Sequence, residues 1–296
     1  MQKSSGMTSL LEYTLLMFLI SILAGFVGSL IGIGGGIIVV PVLTLLFNVP
    51  LGFAIGASIV SVIATSSGAA SAYVKDRITN LRIGMFLEIA TSTGAVVGAV
   101  TTIFLIKSSL SWIVYIVFGI VLLSSSYDLY RKSKKGIDFT QSAVNARPNR
   151  LGESLNLKGE YYDGALQQHI KYEATRVPGG LAVMFCAGLV SGLLGIGSGA
   201  LKVIGMDTLM RLPFKVSTTT SNFMIGVTAA ASTGIFYIGG FVNPLIAAPV
   251  MVGVVMGSFA GTKTLVRSKP SSLRLVFIVV LLILGIEMLQ RGAVLV

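Results

Sequence analysis

The sequence predicts an all-α polytopic membrane protein of two inverted-topology repeats, each a glycine-tipped re-entrant helical hairpin followed by three transmembrane helices. Three observations carry that reading: an apolar composition, an internal repeat at one fixed offset, and a loop charge that reverses between equivalent positions. Of the 296 residues, 54% are hydrophobic and only 11% charged, with a mean hydropathy of +0.89. A soluble domain carries about 25% charged residues, so this chain is too apolar for one. Apolar spans at 52–74, 83–106, 110–127, 215–238, 241–266 and 273–290 are near or above the roughly 18–20 residues that mark a membrane-crossing helix. The first apolar run continues past 25 residues without a small-residue cleavage site, so it is expected to stay as membrane helix rather than leave as a signal.

The repeat appears when the second half is shifted back by 163 positions. Gly25, Gly32, Ile33, Gly34 and Gly36 then fall on Gly188, Gly195, Ile196, Gly197 and Gly199. Pro50 falls on Pro213, Ser58 on Ser221, Thr65 on Thr228, Gly94 on Gly257 and Gly98 on Gly261. One register held without a gap over that distance defines two copies of a membrane unit, 1–130 and 178–296, joined by a polar segment at 131–177.

Loop charge sets the relative orientation of the copies. The loop at 75–82 carries Lys75, Arg77 and Arg82, whereas its counterpart at 238–245 carries no basic residue. The loop at 48–52 has none, whereas 211–215 has Arg211 and Lys215. Basic residues collect in cytoplasmic loops, so equivalent loops lie on opposite faces and each copy crosses an odd number of times. Three spans per copy are accounted for, so 11–47 must enter and leave on one side. As one straight helix those 37 residues would reach about 55 Å, against a hydrocarbon core of about 30 Å. This arrangement puts 17 basic residues on one face and Lys3, Lys107 and Arg291 on the other. Both termini are therefore expected outside, with 131–177 in the cytoplasm. The net charge of +11 reads as this orientation signal and not as a nucleic-acid surface.

Each element then has a local reason. The cluster Gly32, Gly34, Gly35 and Gly36 lies where the first hairpin turns back, and Gly195, Gly197 and Gly199, with Ser198 between them, mark the second. A chain that turns inside the bilayer leaves backbone polar groups that lipid cannot satisfy, so each tip must face protein, water or a ligand. The helix restarting at Gly36 or Gly199 aims free N–H groups and the positive end of its dipole into that space. Two such ends converging near the midplane form an anion site, the place where transporters with inverted repeats bind substrate. Close helix packing is the competing reading of Gly32-x-x-x-Gly36. The match of 195–200 to a dinucleotide fingerprint is spurious, because its flanks are membrane helix with no strand before it.

Lys202 falls in the first turn of the second restarted helix, where the first copy has Val39. An intramembrane ammonium is costly and is paired or functional, so it is expected to bind the anion, or else to snorkel to an interface or pair with Asp207. Ser58 and Thr65, with their counterparts Ser221 and Thr228 and with Asn222, supply donors for an oxyanion without fixed charge; interhelical hydrogen bonding is the alternative. Glu88, Asp128 and Glu287 lie within about two turns of helix ends and are expected near the interface, with Glu88 also a candidate carrier of a coupling proton. Cys186 stands alone, which rules out an intramolecular disulfide, and His169 has no second ligand at a metal-like spacing. No metal, cofactor or catalytic residue is expected; no nucleophile–base pair suggests an enzyme. Alternating residues at 155–177 suggest a small β-hairpin.

The stretches GFVGSLIGIGGGIIVVPVL, GLVSGLLGIGSGALKVIGM and LPFKVSTTTSNFM resemble the TauE/SafE family of sulfite exporters, a broad set of membrane anion transporters. Gly32, Gly34, Gly36, Gly195, Gly197, Gly199, Lys202 and Ser221 match the family pattern, and the proline that follows the first motif is Pro41, whereas the second copy has Ile204. The resemblance covers both repeats. It implies a carrier in the cell membrane for sulfite or an organosulfonate such as sulfoacetate, with a small anion and the lipid bilayer as partners. A passive anion channel, or a carrier of a non-sulfur organic anion, is the alternative. A homo-oligomer is compatible with the sequence.

Overall fold

The computed structural model describes residues 2–29, 36–75, 79–134, 152, 155–163, 167–267 and 270–295. Ten α-helices and one two-stranded sheet are described: α1 (Gln2–Ser29), α2 (Gly36–Leu45), α3 (Leu51–Lys75), α4 (Leu81–Lys107) and α5 (Ser111–Lys134), then β1 (Lys158–Asp163) and β2 (Gln168–Glu173), then α6 (Val177–Leu194), α7 (Gly199–Ile204), α8 (Phe214–Ile238), α9 (Pro244–Arg267) and α10 (Pro270–Val294). A π-helical turn, Gly205–Leu209, continues α7. Among the described residues α4, α6, α8 and most of α9 (through Gly261) are long and apolar enough to cross a membrane. The predicted tip residues Gly32, Gly34 and Gly35 lie outside the described residues.

The elements recur at the 163-residue offset, and so do their boundary details. The limits of α3 shifted by 163 are those of α8. Both helices start after a proline whose carbonyl accepts from the first turn: Ala54 N–H donates to Pro50 at 3.1 Å and Ser217 N–H to Pro213 at 2.9 Å. Proline suits this position, because its fixed φ is helical and the amide it lacks would have no partner there. The preceding turns match although their side chains differ. Asn48 and Arg211 are both left-handed, at φ 50° and 56°, and Val49 N–H to Leu43 O repeats as Leu212 N–H to Met206 O, each 3.0 Å.

Half-length helices distinguish the two hairpin regions. At 1.5 Å per residue the ten residues of α2 reach about 15 Å, half the hydrocarbon thickness. Helix α7 and its π-turn together cover a similar length. Arg291 closes the far end of α2: its guanidinium donates to Thr44 O at 2.6 Å and to Asn48 Oδ1 at 3.0 Å, placing a cation on the carbonyl end of the helix dipole.

Helix pairing is reciprocal between the copies. Helix α1 packs on α9 and α6 on α4, while α3 packs on its own counterpart α8 and α5 on α10. The tight crossings are made by glycine. A Cβ on Gly25 would stand 2.2 Å from Val254 O, and one on Gly188 would stand 2.0 Å from Thr91 O. Val254 and Thr91 are themselves 163 apart, as are Ile22 and Phe185, whose carbonyls meet Gly257 and Gly94. For these four glycines the packing reading holds: small residues let membrane helices approach backbone to backbone.

The strands form an antiparallel hairpin in which Tyr161 faces Ile170 and Gly159 faces Tyr172. Its apolar face joins Leu157, Tyr161, Ile170 and Tyr172 to Met206, Met210 and Met224, with Ile83 and Leu87 of α4. Burial holds the Tyr172 phenol above its usual range, opposed by the Asn80 amide that donates to it at 3.0 Å. Asn80 is the hub of this corner. Its Oδ1 caps α4 through Ile83 N–H at 3.1 Å, and its own N–H donates to Thr220 Oγ1 of α8 at 3.1 Å.

Gly188→Ala should force α6 from α4, because the added methyl meets backbone that cannot rotate away. Overpacking of this kind costs about 1–3 kcal/mol, read as a lower melting temperature of the purified protein. Gly234→Ala on α8, where nothing lies within 4 Å, should leave melting unchanged. Equal melting for both variants would contradict the crossing as described.

Candidate anion site

The second tip is ordered and tightly held. Helix α6 ends at Gly195, which is left-handed at φ 69° with its N–H on Ser191 O at 2.8 Å. Gly197 is left-handed at φ 76°, and a Cβ there would also meet Ile225 Cγ2 at 2.8 Å. Glycine is needed at both positions, since a left-handed backbone costs an L-residue roughly 1–2 kcal/mol. Ser198 adopts the same region at φ 44° without glycine's freedom. It is 4% exposed, and its Oγ is buried with no hydrogen-bond partner among the described residues.

The end of α6 and the start of α2 meet on α3. Ser58 Oγ donates to Gly195 O at 2.8 Å and lies 3.2 Å from Gly36 O. Its counterpart Ser221 Oγ donates to Gly199 O at 3.1 Å. Ser58 is thus placed against Gly36 as Ser221 is against Gly199, one pair per copy, although Ser58 gives its proton to Gly195. A hydroxyl has one proton, and Ser58 places it on Gly195 O while Ser221 places it on Gly199 O. Both predicted anion donors are thus engaged in holding the tips. Thr65 Oγ1 turns back onto its own helix, to Ser61 O and Val62 O at 3.1 and 3.2 Å. Asn222 is half-buried on α8.

Lys202 and Thr228 form a different group. Lys202 is fully buried, and its Nζ donates to Thr228 Oγ1 at 2.5 Å. Thr228 Oγ1 lies 2.6 Å from Glu88 Oε1 and 2.8 Å from Met224 O, and Ser92 Oγ donates to the same Glu88 oxygen at 2.7 Å. Glu88 is buried in the protein, 6% exposed, and its second oxygen, Oε2, is buried without a partner among the described residues. Glu287 is exposed on α10. The carboxylate acting on Lys202 is Glu88 of the other copy, reached through a threonine.

This cluster breaks the repeat. At the pseudo-equivalent positions stand Val39, Thr65 and Met251. One site therefore holds an ammonium, a hydroxyl and a carboxylate, and its mirror keeps only the hydroxyl. Three ammonium protons and one hydrogen-bonding side chain among the described residues leave donor capacity unused at Lys202. An ammonium with spare donors, close in sequence to a strained helix start, is equipped to hold a small anion.

Helices of membrane length packed around buried charges define a polytopic membrane transporter. The chain belongs to the sulfite exporter TauE/SafE family, whose model matches residues 17–288. It is 29% identical over 285 residues to the probable membrane transporter protein YunE of Bacillus subtilis, covering 94% of this chain and 97% of that protein. It is also 28% identical to YdhB of the same organism over 84% of this chain and 87% of that one, and 25% identical to MJ0441 of Methanocaldococcus jannaschii over 93% and 94%. Both are likewise described as probable membrane transporter proteins. No solved structure matches the chain.

Thr228→Val keeps the shape but removes the bridge between Lys202 and Glu88. The loss should be about 1–3 kcal/mol, the cost of stranding buried polar partners. Thr65→Val removes a bond local to one helix and should cost only a fraction of that. Melting temperatures of the two variants compare the sites directly, and an equal effect would mean that the bridge has no special weight.

Proposed function

We propose that this chain is a secondary transporter that moves a small sulfur-containing oxyanion, sulfite or an organosulfonate, across the cell membrane. The observation that carries this reading is the fully buried Lys202 ammonium, with donor capacity to spare, three residues beyond Gly199. The family's name supports the sulfur-oxyanion class. The anion sits beside Lys202, facing the Gly197–Gly199 backbone and the Ser198 hydroxyl. Gly36, which opens α2, is the described member of the first glycine cluster, and Gly34 and Gly35 belong to the proposed site on the sequence alone.

In this reading both hairpins are re-entrant and the two copies are inverted in the membrane. The short helices α2 and α7, each too short to cross, support re-entry. Reciprocal pairing of α1 with α9 and α4 with α6 supports a two-fold relation between the copies. Loop charge supports termini outside and the β-hairpin in the cytoplasm.

Flux into proteoliposomes, measured for sulfite, sulfoacetate and a set of sulfur-free carboxylates, tests the function. Saturable uptake of the sulfur oxyanions is expected; preference for carboxylates would move the substrate class, and flux that never saturates would make the protein a channel. Lys202→Gln should weaken anion affinity by about 10- to 100-fold, since a hydrogen bond to a charged group contributes roughly 1.5–3 kcal/mol. Unchanged affinity would remove Lys202 from the site. For topology, single cysteines at Arg82 and Leu245, which are exposed and 163 apart, should label from opposite faces in a Cys186→Ser background. Labelling from one face would contradict inversion.

A further inference from the structure

We propose that Glu88 is the coupling group of this transporter: its carboxylate balances Lys202 while the site is empty and takes up one proton for each anion bound. The inference rests on the anion reading above. It comes from charge balance in a place where charge is expensive. Empty, the site holds one ammonium and one carboxylate, net zero, joined through Thr228. A monoanion arriving at Lys202 would leave two negative charges against one positive in a water-poor interior, where an uncompensated charge is strongly unfavourable. One proton on Glu88 restores neutrality. Empty and loaded carriers are then both neutral, so both can change their facing without dragging a net charge through the membrane.

The hydrogen bonds of Glu88 say where the proton goes. Thr228 and Ser92 both point their hydroxyls at Oε1. Oε2 is buried and has no hydrogen-bond partner among the described residues. Protonation at Oε2 therefore keeps both existing bonds and creates a new O–H donor in the same buried cluster, available to the anion. The proton comes from water on the side from which the anion enters.

Other titratable groups lie on the elements packed around α4 and α8, among them Asp128 on α5 and Glu160, Asp163, His169 and Glu173 on the β-hairpin. Helix α6, packed along α4, has Cys186 as its single titratable side chain, and that residue is exposed. Helix α8 has Lys215 and Tyr237 near its two ends. The π-turn carries Asp207, and Tyr172 on the hairpin stays a neutral phenol. Within α4 the other charged side chains are Arg82 and Lys107 at its ends, both exposed. Met251 at the mirror position has no proton to exchange.

The test counts protons on binding. Purified protein is titrated with ethanesulfonate, which stays ionised throughout, in weakly buffered solution with a pH indicator. Wild type should take up about one proton per anion, and its affinity should rise as pH falls, approaching tenfold per pH unit while the empty-site carboxylate is ionised. Glu88→Gln should bind with no uptake and an affinity flat in pH, and Glu88→Asp should restore the uptake. Ser92→Ala removes a donor that favours the carboxylate, so the steep part of its pH profile should move to higher pH. Should Glu88→Gln fail to fold, the wild-type count and the Ser92→Ala shift decide the matter. Binding by wild type without proton uptake, or uptake that survives in Glu88→Gln, would overturn the coupling role and leave the anion site standing. Absence of binding for ethanesulfonate, sulfoacetate and sulfite alike would overturn the anion reading itself, and this inference with it.

Discussion

An ammonium with no solvent exposure is the constraint around which this protein is arranged. Lys202 cannot reach the aqueous phase in the structure, so its charge must be answered inside. The answer is divided between the copies: Thr228 comes from the same repeat and Glu88 from the other. Placing them together requires α4 to lie against α8, and that in turn depends on the glycine crossings that bring α4 onto α6. The serines at 58 and 221 do complementary work on the backbone, each holding a carbonyl of a tip. Both contacts tie the α6–α7 turn to the long helices α3 and α8 that surround it.

Duplication supplies the frame, and loss of symmetry supplies the site. The turns at 46–50 and 209–213 keep the same backbone with different side chains, and the glycine crossings keep the same partners. Only where charge is involved do the copies part: Val39 against Lys202, and Met251 against Glu88. The charged pair thus stands at one of the two equivalent positions and not at the other. The β-hairpin reinforces that side, because its apolar face joins Leu87, next to Glu88, and Met224, whose carbonyl lies against Thr228.

Much of the fold was legible in the chain, because it follows from period and length. The apolar spans correspond to helices α3, α4, α5, α8, α9 and α10, and the hairpin strands fall inside 155–177. Gly195 and Gly197 were legible as turn residues, and the backbone supplies a reason the sequence did not, a left-handed φ. The use of Ser58 and Ser221 was not, since a hydroxyl facing a bare carbonyl reads in sequence like one facing a ligand. The partners of Glu88 were not legible, because its distance from a helix end says nothing about what the other repeat brings beside it. One signal did point to it: under the 163-residue shift, Glu88 and Lys202 both fall on apolar residues. Charges that break a repeat are candidates to meet.

The central claim is that Lys202 and Glu88 compensate one another across Thr228, and a double-mutant cycle on stability tests it most directly. Melting of wild type, Lys202→Met, Glu88→Gln and the double variant is measured without added anion. Each single change leaves a buried charge unanswered and should cost about 3–5 kcal/mol. The double variant, which leaves none, should cost far less than the sum of the two. Additive losses would contradict the account, because they would mean that the two charges do not compensate one another.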